Sequence, residues 1–174
     1  MANDTSYSLE DFQSALEPHH RIIGIDLGSK TIGLALSDIG RQIATPLETI
    51  KRKKFTLDCD RLLELCEEHN VGGLVMGLPL NMDGSEGPRV QSTRAFVRNL
   101  AQRSDIPLTY WDERLSTAAV TRTLIDADRS RARRSELVDK MAATYILQGL
   151  LDRISFGGAP IWEVEDDDWL EDER

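Results

Sequence analysis

Acidic residues stand at three places where acids are costly. Asp26 interrupts the otherwise apolar run Ile22-Ile23-Gly24-Ile25-Asp26-Leu27-Gly28. A carboxylate in a buried strand is unfavourable unless something compensates it, and a divalent cation does so strongly. The plainer explanation is a strand-end acid capping the next turn. Asp112 and Glu113 sit where the apolar strand Leu108–Trp111 runs out, and ligands gather at strand C-termini in α/β sheets. Period-two alternation sends the two acids to opposite faces, so the sequence leaves open which one turns inward. Asp139 aligns at helical spacing with Ala142, Ala143, Ile146 and Leu150, on or beside a stripe that packs against a sheet. The plainer alternative sets it at the stripe's border, paired with Lys140 or Arg134. Taken together, three carboxylates from separate elements form a hard oxygen donor set. Such a set holds Mg²⁺ or Mn²⁺ rather than zinc and supports two-metal hydrolysis of phosphodiesters.

No Ser–His or Cys–His arrangement offers a covalent nucleophile. Cys59 and Cys66 fall on one expected helix, roughly 10 Å apart along its axis, which is too far for a disulfide. They read as buried thiols. Cys66 with His69 makes only two ligands on one helix, which is not a zinc site.

The elements that must position these acids are legible from apolar periodicity. Two Ile- and Leu-rich runs around GSK predict a β-hairpin from 21–28 to 31–38, followed by a strand over 42–50. An amphipathic helix is expected at 55–69, a buried strand in GGLVMGLPL, a helix at 88–103, a strand in IPLTYWDE and a helix near 116–127. Ser135 is the expected N-cap of a long final helix ending near Arg153. Three strands followed by alternating helix and strand predict an α/β fold with a mixed five-stranded sheet flanked by helices. That element order matches the RNase H-like fold.

The net charge of −9 looks wrong for a nucleic-acid binder until it is mapped along the chain. Residues 163–174 hold eight acids and one base, and residues 1–20 hold four acids without Lys or Arg. The remaining centre is mildly basic, at +2. Its cations cluster at Lys51–Lys54, with Arg52, and at Arg129, Arg131, Arg133 and Arg134, where they could engage phosphates. Neither run interleaves aromatics, so base stacking is not indicated there. Three segments follow: an N-terminal arm (1–19), a folded domain (20–155) and an acidic tail (156–174). In the arm, SLEDFQSAL suggests a short capped helix with Leu9, Phe12 and Leu16 on one face. The tail mixes Trp162, Trp169 and Leu170 with acids, which suits a docking peptide able to fold back on the basic groove. Arm or tail could meet a protein partner. With no apolar leader and no membrane-length run, a cytoplasmic protein is expected.

Four segments carry a resemblance. GIDLGSKTIGLALSD, VMGLPLNMDGSEGPR, WDERLSTAAV and SELVDKMAATYILQGLLD resemble, in order and spacing, the signature segments of the YqgF/RuvX family, over roughly residues 20–153. That family is similar to Holliday-junction resolvases. The resemblance implies an RNase H-like nuclease that uses Mg²⁺ or Mn²⁺ to mature the 5′ end of pre-16S rRNA, acting on structured RNA or branched DNA as a monomer or homodimer. The family's acidic positions fall on Asp26, Glu113 and Asp139, with Asp112 in reserve as a metal ligand. Nucleic-acid contacts are expected from Lys30, Arg114, Arg131, Arg133 and Arg134. The loop GLPLNMDG helps shape a groove or is simply a structural turn; its Asp83 is a weaker acid candidate. A non-catalytic RNA-associated factor on the same scaffold is the alternative. The DLGSK loop is also similar to phosphate loops of actin-like ATPases and sugar kinases, but those close two such domains around a nucleotide, and this chain is too short.

Overall fold

The apolar alternation of the first half builds an antiparallel meander of β1 (Arg21–Leu27), β2 (Thr31–Ser37) and β3 (Ala44–Lys51). Helices and strands then alternate: α2 (Phe55–Glu68), β4 (Val71–Leu78), α3 (Pro88–Ala101) and β5 (Leu108–Asp112). A short helix, α1 (Leu9–Ala15), precedes the meander, and a 3₁₀ turn, Glu113–Leu115, follows β5. The last helix is α4 (Arg131–Ser155). The computed structural model describes residues 6–115 and 131–155, the stretch 131–139 as helix backbone alone. Arg129, the helix expected near 116–127 and the acidic tail from residue 156 lie outside the described residues.

The strands order as β3-β2-β1-β4-β5. The β1–β2 and β2–β3 pairs are antiparallel, while β1–β4 and β4–β5 are parallel. This is the mixed five-stranded sheet of the RNase H-like fold. Ile23, Ile25 and Leu27 face α2 and α3, packing with Leu62, Leu65, Phe96 and Leu100. Ile22, Val75 and Trp111 face the other way, against Ala143, Ile146, Leu147 and Leu150 of α4. The central strand β1 is therefore buried on both faces, which explains its nearly continuous apolar run. Of the described helices, none is long and apolar enough to cross a membrane.

Helix α4 includes Arg131, upstream of the expected cap at Ser135. Arg and Ala are favourable helix formers, so the RARR stretch continues the helix and Ser135 lies inside it. The arm behaves as part of the folded body. The Ser8 hydroxyl accepts from the Asp11 N–H at 3.2 Å and caps α1. Phe12 is fully buried in the cluster beneath α4. The Tyr7 N–H donates to the Leu108 carbonyl at 2.8 Å, and the Thr109 hydroxyl donates to the Tyr7 carbonyl at 2.9 Å, so the arm covers part of the edge of β5. The apolar face of α1 is thus already occupied within the chain.

Two outcomes are expected. Phe12→Ala should cost about 3–5 kcal/mol, read as a lower urea midpoint; a loss below about 1 kcal/mol would mean that the arm does not hold the core. Between β3 and α2, the Arg61 guanidinium grips Glu48 at 2.7 and 2.9 Å and holds its carboxyl below the usual range. A lowered folded pKa means the pair stabilises above the ordinary glutamate titration near about 4.3, and that this contribution disappears as pH falls through the folded value. The side chains are 32% and 36% exposed, so Glu48→Gln should lose only about 0.5–1 kcal/mol at pH 7. Denaturant titrations at descending pH should show that difference closing in acid.

Candidate active site

Asp26 occupies the penultimate position of β1 and is 1% exposed, with both carboxylate oxygens closed off from solvent. Strand alternation places it on the face of Ile22 and Gly24, the face covered by α4. At Gly24 the helix approaches so closely that a Cβ would lie 2.7 Å from the Leu147 Cβ and 2.8 Å from the Ala143 carbonyl oxygen. The room at this glycine is filled by helix backbone, and the small Ala143 permits the contact. Asp26 follows two residues later, near the C-terminal rim of the sheet.

Glu113 lies just past β5, in the 3₁₀ turn, and is 6% exposed. Its carboxylate reaches back over β4: a Cβ built at Gly77 would meet Glu113 Oε1 at 2.7 Å and Ile146 Cδ1 at 2.4 Å. Ile25 pairs with Met76, so the next step of this parallel register sets Asp26 beside Gly77. The structure therefore brings Asp26 and Glu113 to one sheet face, about two strand spacings or roughly 10 Å apart at the backbone level, with β4 between them and the Glu113 carboxylate reaching back over it. Gly77 is the positioning residue that motif reading missed. Its signal was present in VGGLVMG, where Gly73, Val75 and Gly77 alternate onto the α4 face.

Asp112 takes the opposite face, as alternation requires. The Arg114 Nη2 donates to Asp112 Oδ2 at 2.6 Å and its Nε donates to both oxygens at 3.0 Å, while the Arg114 N–H donates to Oδ1 at 3.0 Å. This clamp holds the Asp112 carboxyl below its ordinary pKa. Arg114 also reaches the Met82 carbonyl at 3.4 Å and so ties the end of β5 to the β4–α3 loop. In that loop Asp83 accepts from the Ser85 N–H at 2.9 Å and the Ser85 hydroxyl at 2.6 Å, the local bonding of a turn acid. Gly84 takes a left-handed φ of +86°, which favours glycine.

Lys30 is exposed in the β1–β2 turn. Arg131, Arg133, Arg134 and Asp139 all fall on the backbone of α4, with their side chains outside the described residues. Burial pushes the Cys66 thiol up to about 12 and raises Cys59 as well; neither is a thiolate at neutral pH. Among the described residues no group of three or more His, Cys, Asp or Glu converges. Asp26 and Glu113 supply two hard oxygen donors from that set.

Gly77→Ala should destabilise the protein by about 1–3 kcal/mol through overpacking. In a double-mutant cycle, Glu113→Ala should relieve part of that loss. Strict additivity in thermal unfolding would mean that Glu113 does not lean on Gly77.

The surroundings of these residues recur in known proteins. The RuvX family model, described as a Holliday junction resolvase, matches residues 20–153. A Methylocella silvestris protein named "Putative pre-16S rRNA nuclease" is 66% identical over 144 residues, spanning 83% of this chain and 89% of that protein. A Paramagnetospirillum magneticum protein of the same name is 63% identical over 142 residues, spanning 82% of this chain and 92% of that protein. Among solved structures, T. thermophilus RuvC in complex with a Holliday junction substrate aligns with a TM-score of 0.50 at 15% identity. It covers 81% of this chain and 98% of that chain, a likeness of fold. The family match runs from the residue before β1 to near the end of α4, through Asp26, Gly77 and Glu113, and on that extent the chain belongs to the RuvX family.

Proposed function

We propose that this protein is a metal-dependent nuclease that hydrolyses phosphodiester bonds in structured RNA, maturing the 5′ end of pre-16S rRNA in the cytoplasm. The observation that carries this reading is the buried Asp26 carboxylate beside Gly77, with the Glu113 carboxylate laid over that glycine. Two acids on an apolar sheet face are costly for stability alone and fit a cation-binding role. The names of relatives at 66% and 63% identity support RNA as the substrate.

Asp139 is the third member of the proposed set, and the helix backbone supports its level along the sheet. Ala143 and Leu147 lie against Gly24, and Gln148 accepts from the Ala44 N–H at the β2–β3 end of the sheet. One turn before Ala143, Asp139 is therefore expected toward the Asp26 end of β1. Asp26, Glu113 and Asp139 would hold Mg²⁺ or Mn²⁺, with Asp112 assigned instead to its clamp with Arg114. A divalent pair at such a site supplies activation of the attacking water and stabilisation of the departing 3′ oxygen. The chain's own work is to fix the donors. Gly77 admits Glu113, the burial of Asp26 keeps its carboxylate from solvent, and Arg114 keeps Asp112 on the other face. Arg131, Arg133 and Arg134, on the first turns of α4, are proposed to contact phosphates.

Branched DNA is the second reading, favoured by the description of the matching family model. Symmetric cutting of a junction would call for a two-fold dimer, whereas RNA trimming works as a monomer.

The test is cleavage of a labelled precursor-rRNA fragment and a four-way DNA junction with Mn²⁺, Mg²⁺ or EDTA. Asp26→Asn, Glu113→Gln and Asp139→Asn should each lower the rate by more than the roughly 10–100-fold cost of losing an outer partner of a metal site, with binding retained. EDTA should abolish cleavage. Asp112→Asn should lose less activity than Glu113→Gln, and the reverse order would exchange their roles. Folded wild-type protein that binds RNA but cleaves neither substrate would make this a non-catalytic RNA factor.

A further inference from the structure

On the α2/α3 side of the sheet, opposite the carboxylates, an open cleft of about 420 Å³ lies at the same C-terminal rim of β1. Its walls are the β1–β2 turn, the exit of β3 and the first turn of α3, and they present Lys30, Arg52 and Arg89 with Ser29 and Ser92. No acid is among the residues that line it. All five of these side chains belong to exposed residues. Neither Lys30 nor Arg89 is ion-paired to an acid among the described residues. The turn is held rigid from beneath: Arg52 Nη1 donates to the Gly28 carbonyl at 2.7 Å, and the Arg52 N–H donates to the Lys30 carbonyl at 2.9 Å. On the opposite wall, the buried Thr93 hydroxyl donates to the Arg89 carbonyl at 2.9 Å. The first turn of α3 carries no acid, so its partial positive charge adds to that of the cations.

Three cations and two free-facing serines around an acid-free opening have the chemistry of an oxyanion receptor. In a chain whose ends are strongly acidic, this concentration of positive charge is local. We infer that the cleft seats a backbone phosphodiester of the nucleic-acid strand whose other contacts lie at the carboxylates. The strand then crosses the rim of β1 between Asp26 on one face and the Lys30–Arg89 cleft on the other. Asp26 and Gly28 are two residues apart, so both contacts fall within one short span of chain. This inference rests on the nucleic-acid reading above, gives Lys30 and Arg52 a shared phosphate to hold, and adds Arg89, Ser29 and Ser92 to the binding surface.

The test measures binding of the full-length chain to a labelled structured RNA and to a four-way DNA junction, in EDTA, across a salt series. Lys30→Gln and Arg89→Gln are compared with Arg98→Gln, an equal charge change on an exposed residue of α3. The two sites on that helix are nine residues, or about 13 Å, apart along its axis. The double variant Lys30→Gln/Arg89→Gln should weaken binding roughly tenfold or more and flatten the log–log salt slope by about 1. Ser92→Glu, which places an acid in the cleft, should also weaken binding, and Arg98→Gln should do little. The nucleic acid whose slope changes identifies the strand the cleft takes. Wild-type affinity and slope in the double variant would overturn the proposal, as would an equal loss in Arg98→Gln or no binding of either nucleic acid by the wild type. Cleavage of the same substrates by the wild type, lost in Asp26→Asn, separates the two readings. Cleavage with an unaffected double variant removes only the cleft; lost affinity without any cleavage removes only the nuclease.

Discussion

The structure depends on how closely α4 lies on the sheet. A helix normally stands off a strand by the depth of its side chains. Here β1 and β4 expose backbone at Gly24 and Gly77, and Leu147, the Ala143 carbonyl and Ile146 occupy that space. This seating buries Ile22, Val75 and Trp111 in the second core cluster. On the same sheet face, two residues beyond Gly24, the Asp26 carboxylate is only about 1% exposed. Were β4 to carry a side chain at residue 77, the ends of the Ile146 and Glu113 side chains would have to move off that spot.

A division of labour between the two faces follows. The α4 face holds carboxylates in an apolar setting, where charge is expensive and therefore selective for a strong cationic partner. The α2/α3 face holds exposed cations around a turn and a helix start, where charge costs little and attracts phosphate over longer range. The adjacent acids Asp112 and Glu113 straddle this boundary. The first is neutralised by Arg114, which also anchors the β4–α3 loop; the second is turned inward. A peptide one residue out of register would exchange them, so the 3₁₀ turn after β5 and its Arg114 clamp specify the site as much as the acids do.

Much of this was legible in the residues. The meander, the mixed sheet, and the awkward acids at Asp26 and in the Asp112–Glu113 pair follow from apolar periodicity interrupted by charge, because burial penalises carboxylates wherever they occur. The clustering of positive charge in the centre of an acidic chain was likewise a matter of counting. The capped helix of the arm was readable from SLEDFQSAL and its Ser8, a local hydrogen bond between near neighbours.

What the sequence could not decide were contacts between distant segments. Period-two alternation separated Asp112 from Glu113 but not which face is covered; that depended on where α4 crosses. Gly77 looked like part of a turn, and only the packing of Ile146 and Glu113 on the same spot made it a positioning residue. Arg52 and Arg89 stand 37 positions apart in the chain, and the cleft they share with Lys30 exists because β3 ends and α3 begins at the same rim. The sequence alone determined which residues are costly to bury and which elements carry them. The tertiary structure decided which of those elements meet, because side chains from separate elements become neighbours only when the sheet and its helices pack.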